Sequence, residues 1–595
     1  MMLKNKSHLI SIFIIVITTI IYYPALNGPF LSDDYPNIIA NESIRVNNLS
    51  YSELKEAVLS SPASKFKRPV SILTFTLNYY FSNGFSNYAI KMTNLMLHLM
   101  CGIGFLLLTR KIIYYLMPQQ NNKYEYIALG VFSLWLLHPL YVSTVLYAVQ
   151  RMAILSTFFV VYGCVSYIYL REKLLINGSH FYLCILSIIF FTLAGFFSKE
   201  NGALLCGFLL LIEYYIFDFK FHSSIKKWKK YLLVNLLVLP VLFIFAYLLY
   251  TYAITPSGNL EQYYYSLNDK VLTEFRILWK YVAWLMLFEP ESMSLLHDDI
   301  IMSKSLFSPV TTIISIILWV IVLSLTLYFL KNKNIIIFGI IWFLWGHILE
   351  STVLALVPIY EHRNYLPGFG IILIFSYFLN IFSKANKSKR NIGYALLFIM
   401  VFLLPVKLLI ERTNDWKNEA TLNSSIIRKH PNSPSSYIWA GGLLYHSGDF
   451  KNAIHAIRTG ANVMPSELAF LTVEASMRCQ SEPDKVFPQE FIDMLNRENR
   501  YVVATMLLKL NLQRMVINCA NSLVNNEIIY RFYKKITKID DKYIQFHAYV
   551  GIGYTLINKG DKVAAINNLN KALKINPEKY KLKEWIRILE NSVSN

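Results

Sequence analysis

Up to about Ile410 the chain is written in apolar blocks of about 17–25 residues, each long enough to cross a hydrocarbon core near 30 Å thick. Backbone in lipid must satisfy its own hydrogen bonds, so the blocks are read as membrane-spanning helices. After Glu411 the sequence turns polar while keeping a helical pattern. Two parts follow: a membrane body over 1–410 and a helical tail over 411–595. Composition agrees. Of 595 residues 55% are hydrophobic and only 16% charged, where an average soluble domain carries roughly 25%.

The formal net charge of +20 raises the question of nucleic acid. Its distribution answers it. The cations sit in short loops between apolar blocks: Lys4 and Lys6, Arg110 and Lys111, Arg171 and Lys173, Lys226 to Lys230, Lys331 and Lys333, and Lys384 to Arg390. Short basic loops stay on the cytoplasmic side, so the charge reports topology, and no nucleic-acid partner is expected. Spans are expected near 9–26, 89–109, 126–143, 152–170, 181–197, 202–219, 231–252, 309–330, 335–356, 367–383 and 391–410. With the N-terminus inside, eleven crossings put every basic cluster on the inner side and the tail outside. The stretch 271–289, broken by Glu274, Arg276, Lys280 and Glu289, is expected to form helices lying at the outer surface. Residues 4–26 are read as an uncleaved signal anchor, since no small-x-small site follows them. Cys479 and Cys519 of the tail are expected as free thiols rather than a pair.

The tail repeats itself. Tyr437, Gly441, Leu444, Gly448, Ala453, Ile457, Gly460 and Pro465 recur at the same offsets as Tyr549, Gly553, Leu556, Gly560, Ala565, Leu569, Ala572 and Pro577. This is tetratricopeptide spacing: small residues let two antiparallel helices approach, and the proline ends the second. Stacked repeats make an α-solenoid with a concave surface suited to a protein partner.

Polar residues collect in the loops on the side opposite the basic clusters. They include Ser32-Asp33-Asp34-Tyr35-Pro36, Arg68-Pro69, His138-Pro139, Gln150-Arg151, Ser198-Lys199-Glu200-Asn201, His297 and Glu361-His362-Arg363-Asn364-Tyr365-Leu366-Pro367. Charged side chains at membrane depth are costly and tend to line functional cavities. Two adjacent carboxylates can supply a base, and several cations can stabilise a departing phosphate. Each motif alone also has a structural reading: Asp-Asp before Pro is an ordinary turn, and a histidine in a span is often held by a neighbouring helix.

In order along the chain, these motifs and the repeats after them resemble the TMTC-type protein O-mannosyltransferases and their bacterial relatives, members of the GT-C superfamily. The resemblance implies an all-α polytopic fold of about eleven transmembrane helices with a C-terminal tetratricopeptide-type solenoid. It implies a glycosyltransferase, of inverting type, that moves a sugar from a polyprenyl-phosphate carrier to Ser or Thr of an exported protein held by the repeats. Asp33 or Asp34 would be the catalytic carboxylate. Arg68, His138, Gln150, Arg151, Lys199, Glu200, His297, Glu361, His362, Arg363 and Tyr365 would form the donor phosphate and sugar site. Two alternatives stand beside it: an oligosaccharyltransferase or O-antigen-ligase-type enzyme, and a non-enzymatic scaffold displaying repeats. A lipid-diphosphate carrier would call for a divalent cation, Mg or Mn. The short loops fit a bacterial inner membrane with a periplasmic tail.

Overall fold

The computed structural model describes residues 2–118, 124–255, 265–382, 399–464, 469–481, 486–496, 523–577 and 580–594. Among them every regular element is helical, and the one β-bridge joins Ser305 to Ser308. The chain divides into two compact units, Met1–Ser425 and Ile426–Asn595.

Among the described residues of the first unit six helices are long and apolar enough to cross a membrane: Ser7–Ala25, Asn87–Leu116, Ala148–Asn177, Glu200–Phe217, Lys227–Ile254 and Thr311–Tyr328. A seventh crossing results if Glu125–Leu136 and Pro139–Leu146, bent by 43°, count as one span. The bend has a local cause. Pro139 lacks the N–H a continuing helix needs, and the His138 side chain caps the next segment by accepting from Leu140 N at 3.2 Å. These helices mark an integral membrane protein. Among the described residues eleven spans are not reached by length and composition. Phe181–Phe196, Ile335–His347 and Gly368–Phe382 have 16, 13 and 15 residues, short of a full crossing. Residues 391–398 of the expected span 391–410 lie outside the described residues, as does Cys519 of the tail pair.

Two further differences bear on the site. The stretch expected as surface helices is one helix, Leu267–Leu287, opened by a capping box between Ser266 and Asp269. It buries Lys270 and Glu274, which pair at 2.9 Å one helical turn apart, so its charges do not prevent burial. The helix expected to run to 356 ends at His347, which places Glu350 in an irregular turn.

The second unit is built of helix pairs, and each of its two sequence repeats forms one. Pro434–His446 pairs with Phe450–Val463, and Lys542–Asn558 with Lys562–Ile575. A β-carbon on Gly441 would lie 2.7 Å from the Ile457 side chain, and one on Gly553 would lie 2.5 Å from Leu569. Only glycine permits that approach. Asp449 and Asp561 cap the second helices through Asn452 N and Ala564 N. The helices between are joined into the same stack by one apolar core running from Ala475 through Phe491 and Phe532 to Ile552 and Ala565.

Candidate functional site

The two adjacent aspartates part company. Asp34 is completely buried, and its carboxylate accepts from Leu31 N at 2.8 Å and from Val149 N at 2.7 Å. It ties the first loop to the segment that opens the helix Arg151–Asn177. Burial pushes its carboxyl up to about 7, although both backbone donors pull it down. Asp33 is exposed, and among the described residues nothing donates to its carboxylate. Its own N–H is held by Tyr147 Oη at 2.8 Å, which fixes the backbone from which the carboxylate projects. Desolvation raises its pKa while the Arg68 guanidinium lowers it.

Arg68 stands on strained backbone. Lys67 and Arg68 have φ of +61° and +45°, a left-handed conformation unfavourable for residues with a β-carbon and doubly so before Pro69. The strain delivers the guanidinium to Glu200, which accepts from Nη2 at 2.8 Å and from Nε at 3.3 Å. Next to Glu200, Lys199 is extended between two apolar helices, and its Nζ lies 2.7 Å from Glu350 Oε1. Glu350 Oε2 lies 3.6 Å from Arg363 Nε. The turn carrying Glu350 is fixed from below by Lys270, whose Nζ donates to the Glu350 carbonyl at 3.2 Å and the Thr352 carbonyl at 2.9 Å. Arg363 donates to Pro358 O at 2.5 Å and to Val357 O, so its fork closes its own loop. Lys199, Asn201, His362 and Arg363 line a small pocket with Ser156 and Thr157. Burial and the Lys199 ammonium hold the His362 imidazole well below its ordinary pKa, hence neutral, and the ring stacks on Tyr360 at 5.1 Å.

Glu361 does not orient Arg363. It faces away and accepts from Arg412 Nη2 at 3.0 Å on both oxygens, with His297 Nε2 3.9 Å from Oε1. The remaining sequence candidates lie deeper. His138 uses both ring nitrogens on backbone, at Leu140 N and Leu285 O. Arg151 is fully buried; it donates to Asn94 Oδ1 at 2.7 Å and Ile90 O at 2.7 Å and lies over the Phe75 ring. Gln150 is half-buried one residue before it. Tyr365 is fully buried, its hydroxyl 2.7 Å from His98 Nδ1. The structure thus brings together Asp33, Arg68, Lys199, Glu200, His362 and Arg363, and it sets Glu361 with His297 in a neighbouring pair network.

Glu350, Lys270 and Arg412 stand outside the sequence motifs of the site. The signal for Glu350 and Lys270 was charge inside an apolar segment, whose partners no local motif reveals. Among the described residues no three His, Cys, Asp or Glu side chains come close enough to hold a metal ion.

Fold and site together define a class: an integral membrane protein whose helix breaks gather carboxylates and cations, followed by a tetratricopeptide stack. Residues 546–579 match the tetratricopeptide repeat family. Over 462 residues the chain is 24% identical to a protein O-mannosyl-transferase of Caenorhabditis elegans, an alignment covering 74% of this chain and 60% of that protein. The chain is thus its distant homologue and spans about 60% of the relative's length. No solved structure matches.

Proposed function

We propose that the protein is a membrane glycosyltransferase that moves a sugar from a polyprenyl-phosphate carrier to a Ser or Thr hydroxyl of an exported protein. In this reading the site faces the outer side of a bacterial inner membrane, the basic loops face inward, and the repeats hold the acceptor. The observation that carries it is the convergence of an exposed carboxylate, Asp33, with Arg68 and with the Lys199–Arg363 pocket, in a distant homologue of a protein O-mannosyl-transferase.

The chemistry follows from those groups. The acceptor hydroxyl gives its proton to the Asp33 carboxylate as its oxygen attacks the anomeric carbon. The bond from that carbon to the phosphate oxygen breaks, and a single displacement inverts the centre. The carrier leaves as a phosphate monoester, one charge more negative than the diester it was. Lys199 and Arg68 are the cations that meet that charge in this reading, since each has a carboxylate as its ion-pair partner and can share its N–H groups with a phosphate. Arg363, bonded to two carbonyls of its own loop, shapes the pocket. His362, neutral, can donate a hydrogen bond without adding charge.

Intact-mass measurement of exported proteins from cells with and without the gene tests the reading. At least one protein should lose the mass of a hexose unit, or another sugar, when the gene is removed and regain it with the wild-type gene. If no exported protein changes mass, the assignment fails.

A further inference from the structure

Two cations, Lys199 and Arg363, line the pocket, and one carboxylate stands against both of them. Glu350 reaches both, at 2.7 Å and 3.6 Å, and its side chain is 9% exposed. Beyond it Arg68 pairs with Glu200 and Lys270 with Glu274, and the Asp33 carboxylate stands on the Arg68 side of the site. His362 is neutral. Lys199, Arg363 and Glu350 together therefore carry one net positive charge. Glu350 is not a loose counterion. The Lys270 ammonium fixes its carbonyl and that of Thr352, so the backbone from which the carboxylate projects is held in place.

Resting on the function proposed above, we propose that Glu350 is a specificity-determining residue that limits the pocket to one net positive charge, so that it suits the singly charged phosphodiester of the donor and releases the doubly charged phosphomonoester of the product. A donor diester carries one negative charge, whereas a phosphomonoester, with a second pKa near 6, carries close to two at pH 8. A site of two uncompensated cations would bind the product more tightly than the substrate, and product departure would then limit turnover. The carboxylate removes that bias. It acts on the ligand only through Lys199 and Arg363 and through its own field, so it is a positioning group rather than a catalytic one.

The test reads binding and needs no transfer. Full-length protein in detergent at pH 8 is titrated with two probes: a short-chain prenyl phosphate, which is a dianion, and its methyl ester, a monoanionic diester. The wild type should bind both with similar affinity. Glu350→Gln, which keeps a hydrogen-bonding amide but removes the charge, should shift selectivity toward the dianion by about tenfold or more, because the charge lies within a few ångströms in a desolvated site. Glu350→Asp, which keeps the charge, should keep wild-type selectivity. Lys199→Gln should move selectivity the opposite way, and it supplies the same information if the Glu350→Gln protein does not fold. A packing role alone would alter melting temperature in these variants and leave the ratio unmoved. If the wild type binds both probes and the ratio is the same in Glu350→Gln or Lys199→Gln, the inference about Glu350 is overturned. If the wild type binds neither probe, the donor-site assignment itself falls.

Discussion

The adjacent aspartates give the sharpest test, because one is buried on backbone donors and the next to it is exposed. Asp34 satisfies two buried backbone donors, Leu31 N and Val149 N. A buried donor left without a partner costs about 1–3 kcal/mol. Asp34→Ala orphans both and should destabilise by about 2–6 kcal/mol, whereas Asp34→Asn keeps one acceptor and should lose about 1–3 kcal/mol. Asp33 has an exposed carboxylate that no described donor engages, so Asp33→Asn should leave stability within about 0.5 kcal/mol. Loss of a general base should instead cut transfer by about 10²–10⁴. Unfolding followed by tryptophan fluorescence in detergent, with transfer rates on the same preparations, separates the two. Asp34 also carries a pH signature. Its carboxyl is raised in the folded protein to about 7, from an ordinary value near 4. Its stabilising contribution is therefore present in full below about pH 4 and lost as pH rises to about 7, at up to about 1.4 kcal/mol per pH unit. Asp34→Asn should remove that part of the slope, and Asp33→Asn should not. A stable, inactive Asp34→Asn beside a fully active Asp33→Asn would refute the division.

Two other outcomes follow from contacts already described. The Arg412–Glu361 pair is 2% exposed on both sides, so Arg412→Gln or Glu361→Gln alone should destabilise by about 3–5 kcal/mol, while Glu361→Leu with Arg412→Met should recover most of it in a double-mutant cycle. Gly553→Val would drive its side chain into Leu569, and Gly441→Val into Ile457; each should lower the unfolding temperature of the repeat region while donor-probe binding persists, and wild-type stability in both would refute the close-approach reading.

How far the sequence could carry such reasoning depended on the range of each signal. Unbroken apolar runs near 231–252 and 309–330 emerge as Lys227–Ile254 and Thr311–Tyr328, since a long hydrophobic helix needs no distant partner to be legible. The tetratricopeptide unit was legible too, its determinants lying within thirty residues of one another. Side-chain partnerships were not. Glu361 and Arg363 stand two residues apart and invite pairing, but Tyr360 is extended and the next four residues form a tight turn, so the two side chains leave in different directions. Glu361 meets Arg412, and Arg363 returns to Glu350 and its own loop. The two aspartates were likewise inseparable in sequence. Which one turns inward is decided by the turn from Leu31 to Asp34, a matter of backbone geometry.

The partners a polar group takes at a helix break distinguish scaffold from site. Every break exposes backbone N–H and C=O groups that lipid cannot satisfy. Asp34, Lys270, His138 and much of Arg363 are bonded to such groups and cannot exchange partners without opening the local fold. Arg68 and Lys199 are different: their ion-pair partners are carboxylates on other loops, Glu200 and Glu350. A cation paired with a carboxylate can transfer part of its hydrogen bonding to an arriving phosphate at little cost, because one anion replaces or joins another. Substitutions in the first group should therefore register as lost stability. Those in the second should register as altered ligand affinity in a protein that still folds, and the order in which variants fall into the two sets is open to direct measurement.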